Sequence, residues 1–139
     1  MLEEKEKRLV AELFKNLKNP VKLINFTQEL ECQFCRETRQ LLKEVSELSD
    51  KVSLEVHNFQ LDKEKVGQYG VDKIPATVIE GDKNHGIRYY GVIAGYEFAT
   101  LLQDIVDVSK RESGLSPKTK DQLREVNQKI HLQVFTTPT

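Results

Sequence analysis

The chain contains no tryptophan, a single methionine and only two cysteines among its 139 residues. It also lacks an apolar run of the ~20 residues that a membrane-spanning helix needs. The first residues, Met1-Leu2-Glu3-Glu4-Lys5, do not follow the cationic and then apolar order of a signal peptide. We therefore expect a cytoplasmic location and no membrane partner. In a cytoplasmic protein, two cysteines that lie close together in the sequence are more often catalytic or metal-binding than a structural cross-link.

An excess of charge of one sign is missing as well. Lysine and arginine number 21, aspartate and glutamate number 22, and the net charge is −1. This balance gives no electrostatic reason to expect nucleic acid or an anionic membrane as a partner. Apolar residues make up 38% of the chain and charged residues 31%, so we expect a folded domain with a core rather than a disordered chain.

The two cysteines form the motif Cys32-Gln33-Phe34-Cys35. It stands between the apolar run Val21 to Phe26 and a long amphipathic segment, so it occupies a strand-to-helix junction near the start of the chain. A dithiol pair in that position is typical of thioredoxin-like redox proteins. If the helix begins at or just before Cys32, that sulfur faces the unpaired backbone amides and the positive end of the helix dipole, which stabilise a thiolate.

Cys35 is expected to face the core, because it shares a helical stripe with Thr38, Leu42 and Val45. This pattern predicts an exposed thiolate at Cys32 that attacks a disulfide and a sheltered thiol at Cys35 that resolves the mixed disulfide.

Half of a zinc site is the main alternative for the cysteine pair. Structural zinc takes four protein ligands, and none of the three histidines, His57, His85 and His131, has ligand-like spacing to the cysteines. We therefore expect redox chemistry with no metal, and no cofactor besides the cysteines themselves.

Hydrophobic periodicity predicts the remaining elements of the first part of the chain. Helices are expected over residues 3–18, 32–48, 62–69 and 96–109, and strands over 21–26, 52–57, 74–79 and 85–90. This order predicts an α/β fold in which helices flank a mixed central sheet of about four strands. Pro75 stands at the start of its strand, a place where proline is tolerated.

The end of the chain repeats its beginning. Segment Ile130–Thr136 shares Leu, Phe and Thr with Val21–Thr27 at equivalent positions, and a helical pattern precedes each copy. We interpret residues 1–109 as one complete unit, 110–117 as a linker and 118–139 as the start of a truncated second unit.

Within the second unit we expect a helix over about 118–127 and a strand over 130–135. The alternative is that this strand simply extends the sheet of the first unit. Without its own neighbours, the strand should be frayed, borrowed by that sheet or paired with another molecule.

Motifs along nearly the whole chain match one known family. They are Asn19-Pro20-Val21-Lys22-Leu23, Cys32-Gln33-Phe34-Cys35, Pro75-Ala76-Thr77, Arg88-Tyr89-Tyr90-Gly91, Ala94-Gly95-Tyr96-Glu97-Phe98, Asp104-Ile105-Val106-Asp107-Val108-Ser109 and Phe135-Thr136-Thr137-Pro138-Thr139. With them the chain resembles the protein disulfide oxidoreductases of thermophilic archaea and bacteria, glutaredoxin-like proteins with two thioredoxin-fold units in tandem. The resemblance implies a thioredoxin-like fold.

The same resemblance implies that the chain forms, reduces and shuffles disulfides, with Cys32 as nucleophile, Cys35 as resolving thiol and Pro75 as a cis-proline facing them. The second active site of the family is missing from this chain, which puts isomerisation in doubt. The implied partners are protein thiols and disulfides, together with a flavoenzyme similar to thioredoxin reductase or a peroxiredoxin.

Three neighbours of these residues are candidates for substrate binding. The backbone at Ile74 would be exposed beside the sulfurs for pairing with a substrate, and Gln33 and Phe34 would tune the site, with Phe34 offering an apolar contact. Two other functions stay open: a docking or scaffold unit whose catalytic partner site lies in the missing second unit, and a glutathione-dependent glutaredoxin.

Overall fold

The computed structural model describes residues 1–136 as an alternation of helices and strands. These are α1 (Glu4–Phe14), β1 (Val21–Thr27), α2 (Cys35–Ser46), β2 (Val52–Asn58), α3 (Lys63–Tyr69), β3 (Ala76–Glu80), β4 (Asn84–Tyr90), α4 (Tyr96–Lys110) and α5 (Pro117–Arg124). The strands form one sheet in the order β2-β1-β3-β4. Strand β1 pairs parallel with β2 and antiparallel with β3, which pairs antiparallel with β4. The predicted α/β fold with a mixed four-stranded sheet is confirmed.

Strand β1 is central because it is apolar on both faces, and each face packs against helices. On one face, Leu23 packs in a cluster with Leu42 and Val45 of α2 and with side chains of α1 and α4. On the other face, Phe26 packs with Tyr69 of α3. The end of β1 is thereby held between two cores, and this end leads directly into the cysteine motif.

Helix α2 begins at Cys35, so the predicted helix over 32–48 starts too early. The residue before it, Phe34, has φ −113° and ψ 4° and makes no side-chain capping hydrogen bond. Cys32 therefore lies in the turn before the helix and not in its first turn. Periodicity identifies the buried face of a helix, but it does not locate the cap, which explains the difference.

A buried hydroxyl group fastens the end of α4 to the turn before β1. Ser109 Oγ accepts hydrogen bonds from the backbone N–H groups of Lys18 (2.9 Å) and Asn19 (3.0 Å), and it donates to the carbonyl oxygen of Asn19 at 2.6 Å. The Asn19 side-chain amide returns a 2.8 Å bond to the Ser109 carbonyl. These bonds fix the start of β1, at the end of the strand away from the cysteines.

The chain after α4 does not join the sheet. Lys110 still belongs to α4 and Pro117 already belongs to α5, so the connecting segment is 111–116, slightly shorter than the predicted linker. The predicted strand over 130–135 is wrong: the segment is neither helix nor strand, and its side chains are exposed. A strand needs a hydrogen-bonded neighbour, and none pairs with this segment in the part of the chain that the structure describes.

The alternative that this segment extends the sheet of the first unit is also wrong, because the sheet contains only β1 to β4 within the described residues. Part of the final motif of the resemblance, Thr137-Pro138-Thr139, lies outside the described residues. The division into a complete unit and a truncated second unit stays a prediction. Across residues 1–136, no helix has the length and apolar character needed to cross a membrane.

Candidate active site

Cys32 and Cys35 are joined by a disulfide bond. The two sulfur atoms are 1.98 Å apart and the two Cα atoms 5.5 Å apart. Cys35, at the start of α2, is 1% exposed, whereas Cys32 in the preceding turn is only half-buried. A molecule that approaches the disulfide from solvent therefore meets the Cys32 sulfur first.

The loop between β1 and α2 is fastened to the helix that follows it. An Arg39 guanidinium nitrogen donates a 2.7 Å hydrogen bond to the Glu29 carboxylate, with both side chains at the surface. Glu31, directly before Cys32, has φ 57°, a left-handed conformation that is uncommon for a residue other than glycine. The backbone thus reverses direction immediately before the more exposed cysteine.

The peptide bond between Ile74 and Pro75 is cis, as predicted. The buried Pro75 accepts a 2.9 Å hydrogen bond at its carbonyl oxygen from the N–H of Gly91, at the end of β4. The Thr38 hydroxyl of α2 in turn donates to the carbonyl oxygen of Gly91 at 3.5 Å. A chain of contacts therefore links Pro75 to the first turns of the helix that begins at Cys35. That Pro75 faces the two sulfurs as part of the catalytic site stays a prediction.

The predicted substrate-binding side chains are accessible. Gln33 is exposed, Phe34 is 43% exposed and Ile74 is half-buried. Two further exposed apolar residues were not predicted as part of the site: Leu30, in the loop before Cys32, and Val92, which follows the Gly91 that hydrogen-bonds Pro75. A leucine flanked by glutamates in a polar loop was the only sequence signal for the first, and nothing marked the second.

Two polar side chains of the sheet are buried and have incomplete hydrogen bonding. Asn25 and Thr77 occupy paired positions of β1 and β3 and are 0% and 1% exposed. The Asn25 amide nitrogen donates to the carbonyl oxygen of Ala76 at 3.0 Å. Asn25 Oδ1 and Thr77 Oγ1 have no hydrogen-bond partner within the described chain.

The disulfide is not part of a candidate metal site in the described part of the chain. Among residues 1–136, no three or more histidine, cysteine and carboxylate side chains are arranged to hold a metal ion. Both cysteine sulfurs are bonded to each other. The chemistry that this arrangement offers is the reversible opening and closing of one disulfide bond.

Comparisons with known proteins agree with this geometry. A family model described as a thioredoxin domain matches residues 21–103. A protein disulfide oxidoreductase from Aeropyrum pernix K1 is similar in structure, with a TM-score of 0.79 and 27% identity over 90% of this chain and 56% of that chain. The N-terminal domain of the alkyl hydroperoxide reductase AhpF from Enterococcus faecalis has a TM-score of 0.79 and 22% identity, over 88% of this chain and 60% of that one.

A thioredoxin from Schistosoma mansoni shares the fold more distantly, with a TM-score of 0.52 and 18% identity over 69% of this chain and 89% of that chain. A comparison with curated proteins gives no match. This chain spans only 56% and 60% of the lengths of the Aeropyrum and Enterococcus chains.

The matched segment 21–103 covers more than half of the 139 residues and contains Cys32, Cys35 and Pro75. A thioredoxin-like fold with a Cys32–Cys35 disulfide supports thiol–disulfide oxidoreductase activity. The chain belongs to the thioredoxin domain family.

Proposed function

We propose that this chain exchanges disulfides with protein substrates through the Cys32/Cys35 pair. The observation that carries the proposal is a disulfide between a half-buried and a fully buried cysteine at the start of a helix, in a thioredoxin domain. The difference in exposure assigns the two sulfurs different roles. Cys32 is the nucleophile that meets the substrate, and Cys35 is the resolving thiol.

In the reducing direction, the Cys32 thiolate attacks one sulfur of a substrate disulfide. A bond forms between Cys32 and that sulfur, while the other substrate sulfur leaves with the bonding electron pair and takes a proton from solvent. Cys35 then gives up its proton and attacks Cys32, which re-forms the protein disulfide and releases the second substrate thiolate. Two electrons pass from the protein to the substrate, and no cofactor beyond the cysteines is needed.

Substrate binding is proposed to use the surface around Cys32. Phe34, Leu30 and Val92 offer exposed apolar contacts for a partner protein. An extended substrate segment would pair with the backbone at Ile74, beside Pro75. Backbone pairing and scattered apolar contacts depend little on the amino-acid sequence of the substrate. We therefore expect the site to accept a range of protein disulfides.

Redox partners are proposed by chemical class. A dithiol protein cycles only if a second redox partner restores its starting state. A flavoenzyme similar to thioredoxin reductase and a peroxiredoxin are the candidates to supply or accept the electron pair. The similarity to a solved protein disulfide oxidoreductase supports protein substrates. The fold shared with a domain of an alkyl hydroperoxide reductase makes a peroxide-reducing partner worth testing.

An insulin-reduction assay with dithiothreitol tests the proposal. The chain should accelerate precipitation of the insulin B chain well above the rate with dithiothreitol alone, and Cys32→Ser should return the rate to that background. The serine variant keeps the size of the side chain and removes the nucleophile. Equal rates for the two proteins would contradict catalysis here and favour the role of a docking or scaffold unit.

A further inference from the structure

The unpartnered atoms of Asn25 and Thr77 lie on the face of the sheet that α2 covers. Leu23 and Ile79 are also paired across β1 and β3, and both pack in the cluster that contains Leu42 of α2. Side chains alternate between the faces of a strand, so Asn25, two residues after Leu23, and Thr77, two residues before Ile79, point to this same face.

Helix α2 runs back along β1, since the parallel strand β2 follows it. Leu42 and Val45, in the later turns of α2, pack with Leu23 and Val21, near the start of β1. The first turn of the helix must therefore lie over the end of β1, where Asn25 is located. The buried residues of that first turn include Cys35, so the topology brings this residue to the end of the sheet that carries Asn25 and Thr77.

The disulfide form leaves this pair unsatisfied. A disulfide sulfur carries no proton to donate and is a weak acceptor, so Asn25 Oδ1 and Thr77 Oγ1 lack partners while the bond is closed. The fixed bond from the Asn25 amide nitrogen to Ala76 directs the oxygen of the same amide group away from that carbonyl. A buried polar atom without a partner costs free energy, and opening the disulfide supplies a partner for it.

We infer that Asn25 and Thr77 are positioning residues that hydrogen-bond the Cys35 sulfur only when it is released from Cys32. As a thiol, Cys35 donates to Asn25 Oδ1; as a thiolate, it accepts from the Thr77 hydroxyl. The pair therefore favours the dithiol form and stabilises Cys35 as the leaving group when the disulfide is attacked at Cys32. This inference rests on the proposed function, because it assigns a role within the same redox cycle.

The test is the equilibrium of the Cys32–Cys35 couple with glutathione redox buffers, followed by alkylation and mass measurement. Thr77→Val keeps the shape of the side chain and removes the hydroxyl. It should shift the equilibrium about tenfold toward the disulfide, which makes the potential about 30 mV more negative for a two-electron couple. Thr77→Ser restores a hydroxyl and should stay within about twofold of the unchanged chain.

Ser109→Ala is the matched control. It removes another fully buried hydroxyl, but one located at the opposite end of β1 and bonded only to backbone groups. It should lower the free energy of unfolding of the oxidised and reduced proteins equally and leave the reduction potential of the Cys32–Cys35 couple unchanged. Asn25→Leu is a second variant: it should lower the stability of both forms, and that of the dithiol form more.

Urea unfolding of the two redox forms separates a redox role from a structural one. Thr77→Val should stabilise the oxidised form, which loses an unsatisfied hydroxyl, and destabilise the reduced form, which loses a hydrogen bond. An unchanged potential, or equal changes in both forms, would overturn the inference. If the chain fails the insulin assay while the potential still shifts as expected, the proposed function fails and the coupling of the pair to Cys35 stands.

Discussion

At the scale of single residues, two cysteines with the same chemistry have different accessibility because they lie on opposite sides of a helix start. Cys32 lies in the turn and remains half-buried, while Cys35 is covered by the core. A thiolate that must meet a large substrate needs access, and a thiol that must act only afterwards needs protection. The proposed order of the two reaction steps rests on this difference in accessibility.

Replacing Cys35 with serine should trap the reaction halfway. Without the resolving thiol, the mixed disulfide between Cys32 and the substrate has no attacking group inside the protein, so it should accumulate. We expect an intact-mass increase equal to one bound substrate, reversed by dithiothreitol, when the variant is mixed with oxidised insulin. The control is the double variant, Cys32→Ser with Cys35→Ser, which should form no adduct. No adduct on the single variant, with an active unchanged chain, would contradict the assigned order of attack.

At the scale of elements, α3 is fastened to the sheet by polar contacts at its end. The Tyr69 hydroxyl donates to Glu80 of β3 at 2.9 Å, and Arg88 of β4 donates to the carbonyl oxygen of Tyr69 at 2.8 Å and 2.5 Å. Gly70 ends the helix with φ 60°, as its position in the sequence predicts. These contacts hold α3 against the core that also contains Phe26.

The contact between Tyr69 and Glu80 should make stability depend on alkaline pH. Burial, together with the hydrogen bond to the Glu80 carboxylate, raises the pKa of Tyr69 to about 12. An unfolded tyrosine ionises near pH ~10, so the unfolded chain binds fewer protons than the folded one between about pH 10 and 12, and the free energy of unfolding falls across that range. The contribution of Tyr69 to the free energy of unfolding is complete below about pH 10 and is lost as pH rises through about 12.

Urea unfolding at pH 9, 10 and 11 measures this effect. Tyr69→Phe should reduce the fall in stability with pH, and some slope should persist because burial beside Asp104 also raises the pKa of Tyr89. Tyr96→Phe, at a position that is 88% exposed, is the control and should keep the slope of the unchanged chain. A slope that is identical in all three proteins would show that Tyr69 does not carry the effect.

At the scale of the whole molecule, the packed body and the segment that follows it are distinct. The core clusters are built from side chains between Val10 and Val108. Helix α5 contributes no buried residue, and residues 125–136 are exposed. Within residues 1–136, a single hydrogen bond, from the Leu115 N–H to the Ser113 hydroxyl at 3.4 Å, joins the segment after Ser113 to the residues before it, and no ion pair does.

Ending the chain after Ser113 should therefore leave the body intact. We expect the free energy of unfolding to change by less than about 0.5 kcal/mol, the range of surface changes that remove no buried contact. Urea denaturation and the insulin assay on the shortened and full chains measure stability and activity together. As a contrast, Leu42→Ala, in the core beneath α2, should cost about 2–5 kcal/mol. A comparable loss on truncation would show that the tail stabilises the body.

Most helices and strands and the cysteine motif could be predicted from the sequence, because they depend on residues that are neighbours along the chain. The apolar run Val21 to Phe26 predicted a strand, and the spacing of Cys32 and Cys35 predicted a dithiol site. Both predictions draw on local signals: the period of side chains along a strand or helix, and the short distance between two residues of one turn. The cis bond before Pro75 was predicted from the position of the proline and from the family resemblance.

Contacts across the sheet, and the lack of a pairing strand for one segment, depend on how distant parts of the chain come together and could not be predicted from the sequence. Asn25 and Thr77 are distant in sequence, and their pairing depends on the register of β1 and β3. The segment over 130–135 has the hydrophobic pattern of a strand, but this pattern does not provide a neighbouring strand with which its backbone can form hydrogen bonds. The start of α2 at Cys35 likewise depended on the local backbone of the turn and not on hydrophobic period. Burial and hydrogen bonding each need two partners, and these partners often lie far apart in the sequence. A local sequence pattern shows that a residue can be buried or can form a hydrogen bond, but it does not identify the partner.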